Sequence, residues 1–209
     1  MAGEAQLDLV VLVPGRDEEA ALAGILSRHE PLGIRPVRPH FQRHPDRDPG
    51  CLLRAHEFLR REVNRFRHAL VVFDRQGCGQ EDRGREDLEE EVESHLSASG
   101  WGDRAAAIVI DPELEVWVWS DSPHVVSDLG WEGHEPGLRA WLDQEGFLEG
   151  ARPKPTRPKE AMQEALRVSQ KRRSSAIYRQ LGEKVNLSRC EDAAFLKLHK
   201  TLLSWFAGP

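Results

Sequence analysis

The sequence predicts an α/β fold in which a mostly parallel sheet is flanked by helices and followed by an all-helical C-terminal extension. Three apolar runs rich in β-branched residues, at residues 7–13, 69–73 and 105–110, are typical of buried strands. Helical stretches separate them, and this alternation indicates βαβ units with right-handed crossovers. The 209 residues suit one domain of ordinary size, alone or with an extension.

The first part of the chain supplies a strand, a helix and an uncertain second strand. A proline–glycine pair ends the run at residues 7–13, and residues 17–29 have the apolar spacing of a helix. Residues 34–41 are predicted to be an edge strand or a loop, because their two prolines lack a backbone N–H. A longer helix is predicted to begin at Pro49.

The middle of the chain continues the same pattern. The strand at residues 69–73 ends at Asp74, a polar glycine-rich loop follows, and residues 85–97 form an amphipathic pattern. The strand at residues 105–110 completes the βαβ series. Residues 113–119 are compatible with a strand or with a short buried helix, since apolar side chains occupy both the even and the odd positions.

The C-terminal part is predicted to be helical beyond a stiff, basic, proline-rich linker. We expect helices at residues 138–145, 159–170, 175–184 and 192–206. The predicted division is an α/β domain at residues 1–150, followed by a linker and a helical extension that packs on it at residues 151–209.

The charge balance restricts the partners that we expect. The net charge is −6, from 29 basic and 35 acidic residues, which disfavours non-specific nucleic-acid binding by the whole surface. Cations nevertheless gather on and after the linker, where they contact nucleic acid or simply form a solvated surface: Arg152, Lys154, Arg157, Lys171, Arg172 and Arg173. Three distant cysteines indicate free thiols in a reducing, cytoplasmic compartment, and no apolar run approaches a membrane span of about 20 residues.

Carboxylates follow three of the predicted strands. Glu18 lies after the first, Asp74 after the next, and Asp111, Glu113 and Glu115 after the third. Ligands of open α/β sheets bind beyond these carboxyl ends, where converging carboxylates favour Mg²⁺ or Mn²⁺. Such an ion could activate water and stabilise a phosphodiester transition state. The alternative is that each carboxylate only satisfies a helix dipole or loop amides.

The tryptophans are six in number. Trp117 and Trp119 lie in an apolar run and are predicted to be core residues. Trp101, Trp131 and Trp141 lie in polar or glycine-rich stretches, so one or two of them could cover a cleft or bind a partner.

The histidines and cysteines predict no clear site of their own. His40 and His44 could form a metal pair, but no second pair at zinc spacing accompanies them, which favours surface loop residues. Cys78 lies between two glycines, but no spacing to a histidine and an aspartate identifies it as a nucleophile.

Four segments resemble a known family. Residues 13–18, Val-Pro-Gly-Arg-Asp-Glu, resemble an opening Val-Glu-Gly-x-x-Glu, and residues 72–76, Val-Phe-Asp-Arg-Gln, resemble an Asp-x-Asp strand end. Residues 112–117 with Asp121 resemble a Pro-x-Leu-Glu-x-Trp segment with a trailing Asp. The tail resembles the helical tail of the same family at Pro158, Lys159, Tyr178 and residues 190–195. The family is a Toprim-like family of unknown function from bacterial defence islands, related to the nuclease half of the overcoming-lysogenization-defect proteins.

The resemblance implies a Toprim-like sheet, a divalent metal and phosphodiester cleavage. It is not complete, since Pro14 and Gln76 occupy positions at which the family has carboxylate ligands. Glu18, Asp74 and Glu115 remain as metal-binding and catalytic candidates, and Lys159 could stabilise phosphate charge.

The expected function follows from this partly lost site. It is that of a weakly catalytic or non-catalytic subunit in a bacterial anti-phage defence system, with other defence-system proteins as partners. By general appearance the chain is similar to small components of the methylation-associated defence system. The alternatives are a metal-dependent phosphodiesterase or nuclease that uses the strand-end carboxylates, and a partner- or ligand-binding module.

Overall fold

The sheet of the protein has four parallel strands. The computed structural model describes residues 6–120, 122–150, 152, 154–184 and 190–208. The strands are β1 (Leu7–Val13), β2 (Pro39–Arg43), β3 (Phe66–Asp74) and β4 (Ala105–Ile110), in the order β2-β1-β3-β4. All neighbouring pairs run parallel. The predicted α/β class with a parallel sheet is therefore confirmed.

Helices connect the strands and form the C-terminal part. They are α1 (Arg16–Leu26), α2 (His29–Leu32), α3 (Arg47–Leu59), α4 (Arg85–Leu96), α5 (Glu115–Val118), α6 (Pro123–Asp128), α7 (Leu138–Gln144), α8 (Pro158–Val168), α9 (Ser175–Lys184) and α10 (Ala193–Phe206). Short helical turns continue α3 at Arg60–Glu62 and α4 at Ser97–Trp101. No helix within the described part of the chain is long and apolar enough to cross a membrane.

The uncertain segments are settled by their neighbours in the fold. Strand β2 is an edge strand, and Pro39 is its first residue, where a missing N–H is tolerated. The segment after β4 contains the short helix α5 rather than a strand. Its buried residues Trp117 and Val118 pack in the same core as the C-terminal helices.

The two faces of the sheet carry separate apolar layers. Alternate residues of β1 point to opposite sides, as a strand requires. Val10 and Leu12 belong to the layer that α3 and α4 cover, whereas Leu9, Val11 and Val13 belong to the layer beneath α1 and the C-terminal helices. The C-terminal helices and α1 therefore cover this face of the sheet together.

The sequence prediction was wrong for three tryptophans. Trp101, Trp131 and Trp141 are 1%, 2% and 8% exposed. Trp131 donates from its indole N–H to the carbonyl of Pro136 at 3.1 Å, and its ring lies 4.6 Å from that of Trp141. These side chains build the core, so none of the three presents a docking surface. Trp117 and Trp119 are buried as predicted.

Candidate functional site at the carboxyl edge of the sheet

A cleft of about 620 Å³ opens beyond the carboxyl ends of β1 and β3. Its walls come from five parts of the chain: the turn into α1, the loop from β2 into α3, the end of β3, the start of α8 and the start of α9. Its lining residues include Gly15, Glu18, Arg43, His44, Arg47, Asp48, Asp74, Gln76, Lys159 and Arg173. This is the position at which open parallel sheets bind ligands.

Asp74 is the most deeply placed carboxylate of the cleft. It ends β3, is 5% exposed, and its backbone N–H donates to Oδ1 of Asp48 at 3.0 Å. Its own Oδ1 is buried and makes no hydrogen bond to any described residue. Burial, reinforced by the nearby Glu18, Asp48 and Glu115, raises the pKa of Asp74 well above its usual range. The group therefore has an unmet requirement for a cationic or hydrogen-bonding partner.

Glu18 occupies the first turn of α1 beside Asp74. Burial, together with the charges of Asp48, Asp17 and Glu115, raises the pKa of Glu18 to about 7. Gly15 leaves room for this carboxylate, because a Cβ at that position would lie 2.8 Å from Oε2 of Glu18. The turn after β1 is thus shaped to hold a carboxylate in the cleft.

Asp48 is a carboxylate of the cleft that sequence reasoning missed. It lies in the first turn of α3, lines the cleft, and accepts the N–H of Asp74. Burial raises its pKa above the ordinary value. A carboxylate shortly after β2 was the available signal, but the prolines of that segment made the strand itself uncertain.

Glu115 lies near the other carboxylates but is already bonded by the C-terminal extension. The hydroxyl of Tyr178 donates to its Oε1 at 2.6 Å, and Nη2 of Arg173 lies 3.5 Å from the same oxygen. Arg173 also pairs with Asp17 at 2.8 Å. This network uses much of the bonding capacity that was predicted to serve a metal.

Glu113 and Asp111 also have partners within the chain. Glu113 accepts the backbone N–H of Lys159 at 3.0 Å and its ammonium group at 3.3 Å. Asp111 pairs with Arg75 at 2.9 Å and does not line the cleft. The predicted ligands thus separate into two groups. Glu18 and Asp74 face the cleft, whereas Glu113, Glu115 and Asp111 are engaged elsewhere.

Cations line the same cleft as the carboxylates. Although burial opposes its charge, the carboxylates Glu115, Glu113 and Asp74 raise the pKa of Lys159, which stays protonated. Of the six basic residues predicted to contact nucleic acid, Arg173 lines the cleft. Lys154 and Lys171 instead donate to backbone carbonyls of Val116 and Ser127.

The donor chemistry of the cleft fits a hard divalent cation at one point. The unpartnered oxygen of Asp74, with Asp48 and Glu18 nearby, is the kind of ligand that Mg²⁺ and Mn²⁺ prefer. Over the described residues, no group of three His, Cys, Asp or Glu side chains is already arranged to hold a metal ion.

Comparisons with known proteins identify no relative. No family model, no curated protein and no solved structure matches the chain. The Toprim-like resemblance therefore rests on the short segments quoted above and stays a prediction.

Proposed function

We propose that the chain is a Toprim-like subunit of a bacterial anti-phage defence complex, with a cleft that binds Mg²⁺ or Mn²⁺ and has weak or no catalytic activity. We expect it to act in the cytoplasm. The observation that carries the proposal is the buried, unpartnered Oδ1 of Asp74 among the carboxylates at the floor of the cleft.

A divalent cation would relieve two unfavourable features of the cleft. Asp74 is buried, and Glu18 and Asp48 lie near enough for their charges to raise its pKa. A buried carboxylate among like charges is costly unless it is neutralised by a proton or a cation. A bound Mg²⁺ or Mn²⁺ would supply the positive charge and accept the free oxygen as a ligand.

The low expected activity follows from the donors that are missing. Pro14 and Gln76 line the cleft but offer no carboxylate. Glu115 is held by Tyr178 and Arg173, so it is less available as a ligand. Hydrolysis of a phosphodiester needs an ion that is held in a fixed geometry with one open coordination position. The few remaining carboxylate ligands are poorly suited to fix an ion in this way.

The alternative is a metal-dependent phosphodiesterase or nuclease, and one observation favours it. Lys159 and Arg173 line the cleft beside the carboxylates, so positive groups are present where a phosphate would develop negative charge. A bound divalent ion would supply an activated water and charge neutralisation. Lys159 would then orient the phosphate and stabilise its charge.

The first test measures Mn²⁺ binding by calorimetry for the natural chain and for Asp74→Asn. We expect the substitution to weaken binding by at least about tenfold, because it removes a charged ligand, equivalent to about 1.4 kcal/mol. Asp111→Asn is the matched control, since Asp111 also follows a strand but lies outside the cleft. The proposal fails if the natural chain binds no Mn²⁺ at millimolar concentration, or if both variants bind equally well.

The second test separates the subunit from the enzyme. DNA and RNA substrates are incubated with the protein and Mn²⁺, and the products are resolved on a gel. Cleavage that Asp74→Asn abolishes would support the nuclease, whereas metal binding without cleavage would support the subunit. Co-purification with products of neighbouring genes tests the defence complex, and a chain that stays alone under all conditions would count against it.

A further inference from the structure

His44 is held at the wall of the cleft by the residues around it. It follows β2, is 5% exposed, and lines the cleft. The backbone N–H of Asp46 donates to its Nδ1 at 3.1 Å, and the ring of Phe58 lies 5.0 Å away. The prediction of a surface loop histidine is therefore wrong for His44, whereas His40 is exposed on β2.

Gly50 shows that the position of His44 is built into helix α3. A Cβ at residue 50 would lie 1.9 Å from Nδ1 of His44, so only glycine leaves room for the imidazole. Glycine within a helix costs about 1 kcal/mol relative to alanine. The glycine in α3 is therefore unfavourable for the helix itself, but it leaves the space in which the His44 ring packs beside the cleft.

The hydrogen bond from Asp46 decides which nitrogen of His44 can act. Because Nδ1 accepts an N–H, the hydrogen of the neutral ring is on Nε2. Burial, together with the charge of Arg54, lowers the pKa of His44 and favours the neutral ring. Nε2 has no partner among the described residues and is not sealed from solvent. It is therefore a free hydrogen-bond donor in a side chain that faces the cleft.

Two arginines accompany this donor on the same loop. Arg43 ends β2 and Arg47 begins α3, and both line the cleft. Arg47 has a backbone φ of 51°, in the left-handed region that residues other than glycine rarely adopt. Such strain is maintained where the surrounding structure requires a particular orientation, often at ligand sites. The next residue, Asp48, belongs to the acidic floor of the cleft.

We propose that this loop is a phosphate-binding subsite in which Nε2–H of His44 donates to a phosphate oxygen while Arg47 and Arg43 supply positive charge. The inference rests on the proposed function. Without the proposed cation, the carboxylates at the floor of the cleft would repel an anionic ligand bound nearby. It names the ligand class as phosphate-bearing. Inorganic pyrophosphate and a phosphodiester share this chemistry.

The test measures binding of inorganic pyrophosphate and of a thymidine dinucleotide by calorimetry, each with and without Mn²⁺. We expect His44→Ala and Arg47→Ala to weaken binding of the preferred ligand by about tenfold or more, because each removes a hydrogen bond or charge that the phosphate receives. Arg60→Ala is the matched control, since Arg60 is exposed just beyond α3 and outside the cleft. The ligand with the higher affinity identifies the source of the phosphate.

The outcomes separate this inference from the proposed function. Phosphate affinity unchanged in both variants, or no binding of either ligand to the natural chain, overturns the subsite, whereas Mn²⁺ binding to the natural chain would still support the acidic site. Loss of phosphate affinity with Mn²⁺ affinity unchanged supports the subsite. If His44→Ala does not fold, the exposed Arg47→Ala alone decides the matter.

Discussion

Glu18 links the chemistry of the cleft to the stability of the fold. Its pKa is about 7 in the folded chain, against an ordinary value of 4.5. Between these two pH values the folded state binds a proton that the unfolded state has released. By linkage, the contribution of Glu18 to the free energy of unfolding is full below about pH 4.5 and is lost as the pH rises through 7.

Glu18→Gln should therefore change how stability depends on pH. We expect the variant to be more stable than the natural chain at pH 8 by about 1 to 3 kcal/mol, with little difference at pH 5, because the amide never ionises. Urea unfolding at both pH values measures this difference, with Glu19→Gln as control, since Glu19 is the next residue of α1 but does not line the cleft. A natural chain that gains stability over Glu18→Gln as the pH rises would contradict the argument.

Residue-level prediction succeeded where a strand end alone positions the group. Asp74 follows a clearly apolar run, so its place at the carboxyl edge of the sheet could be predicted, while its role as a ligand stays a prediction. Glu115 is different, because Tyr178 lies 63 positions away and nothing in the local sequence shows that it donates to Glu115. His44 could not be predicted either, since its burial depends on a glycine in the next helix.

Helices α1 and α9 approach each other closely at a pair of glycines. A Cβ at Gly182 would lie 2.6 Å from the carbonyl oxygen of Ala21, and a Cβ at Gly24 would lie 2.4 Å from that of Arg179. This crossing brings the start of α9 to the start of α1. Ser175 there donates to Asp17 at 2.6 Å, so the position of α9 also determines one wall of the cleft.

Gly182→Ala should destabilise the protein although alanine favours helices. Alanine gains about 1 kcal/mol of helix propensity, but crowding against a backbone carbonyl costs more, and we expect a net loss of about 1 to 3 kcal/mol. Urea unfolding measures it. Gly137→Ala is the control, because a Cβ there meets nothing within 4 Å, and we expect a change below about 1 kcal/mol. Equal stability of Gly182→Ala and the natural chain would show that α1 and α9 are not locked at this point.

Strand β4 shows a structural use of carboxylates that the charge pattern could not distinguish from a site. Glu89 and Glu93 of α4 accept the backbone N–H groups of Val109 and Ala107 at 2.9 and 3.0 Å. Lys197 of α10 pairs with both carboxylates. Since β4 is an edge strand, these contacts occupy donors that could otherwise pair with another chain. These contacts thus explain part of the acidic composition of α4.

At the scale of the whole molecule, the C-terminal extension shares one core with the sheet. Leu70 of β3, Met162 of α8, Tyr178 of α9 and Leu198 of α10 belong to the same apolar cluster. The sequence predicted an extension that packs on the sheet from its composition and linker. It could not predict that the extension also supplies cleft residues, because side chains distant in sequence meet only after the helices have docked.

This shared core predicts that the sheet and the extension unfold together. Leu198→Ala removes a side chain that is 0% exposed, and we expect a loss of about 2 to 5 kcal/mol. If folding is cooperative, amide hydrogen exchange measured by mass spectrometry should accelerate in β1 and β3 as well as in α10. Leu196→Ala is the control on the same helix, because Leu196 is 52% exposed and its removal should leave exchange nearly unchanged. Faster exchange confined to α8, α9 and α10 would show instead that the extension opens on its own and that the cleft can lose one wall while the sheet stays folded.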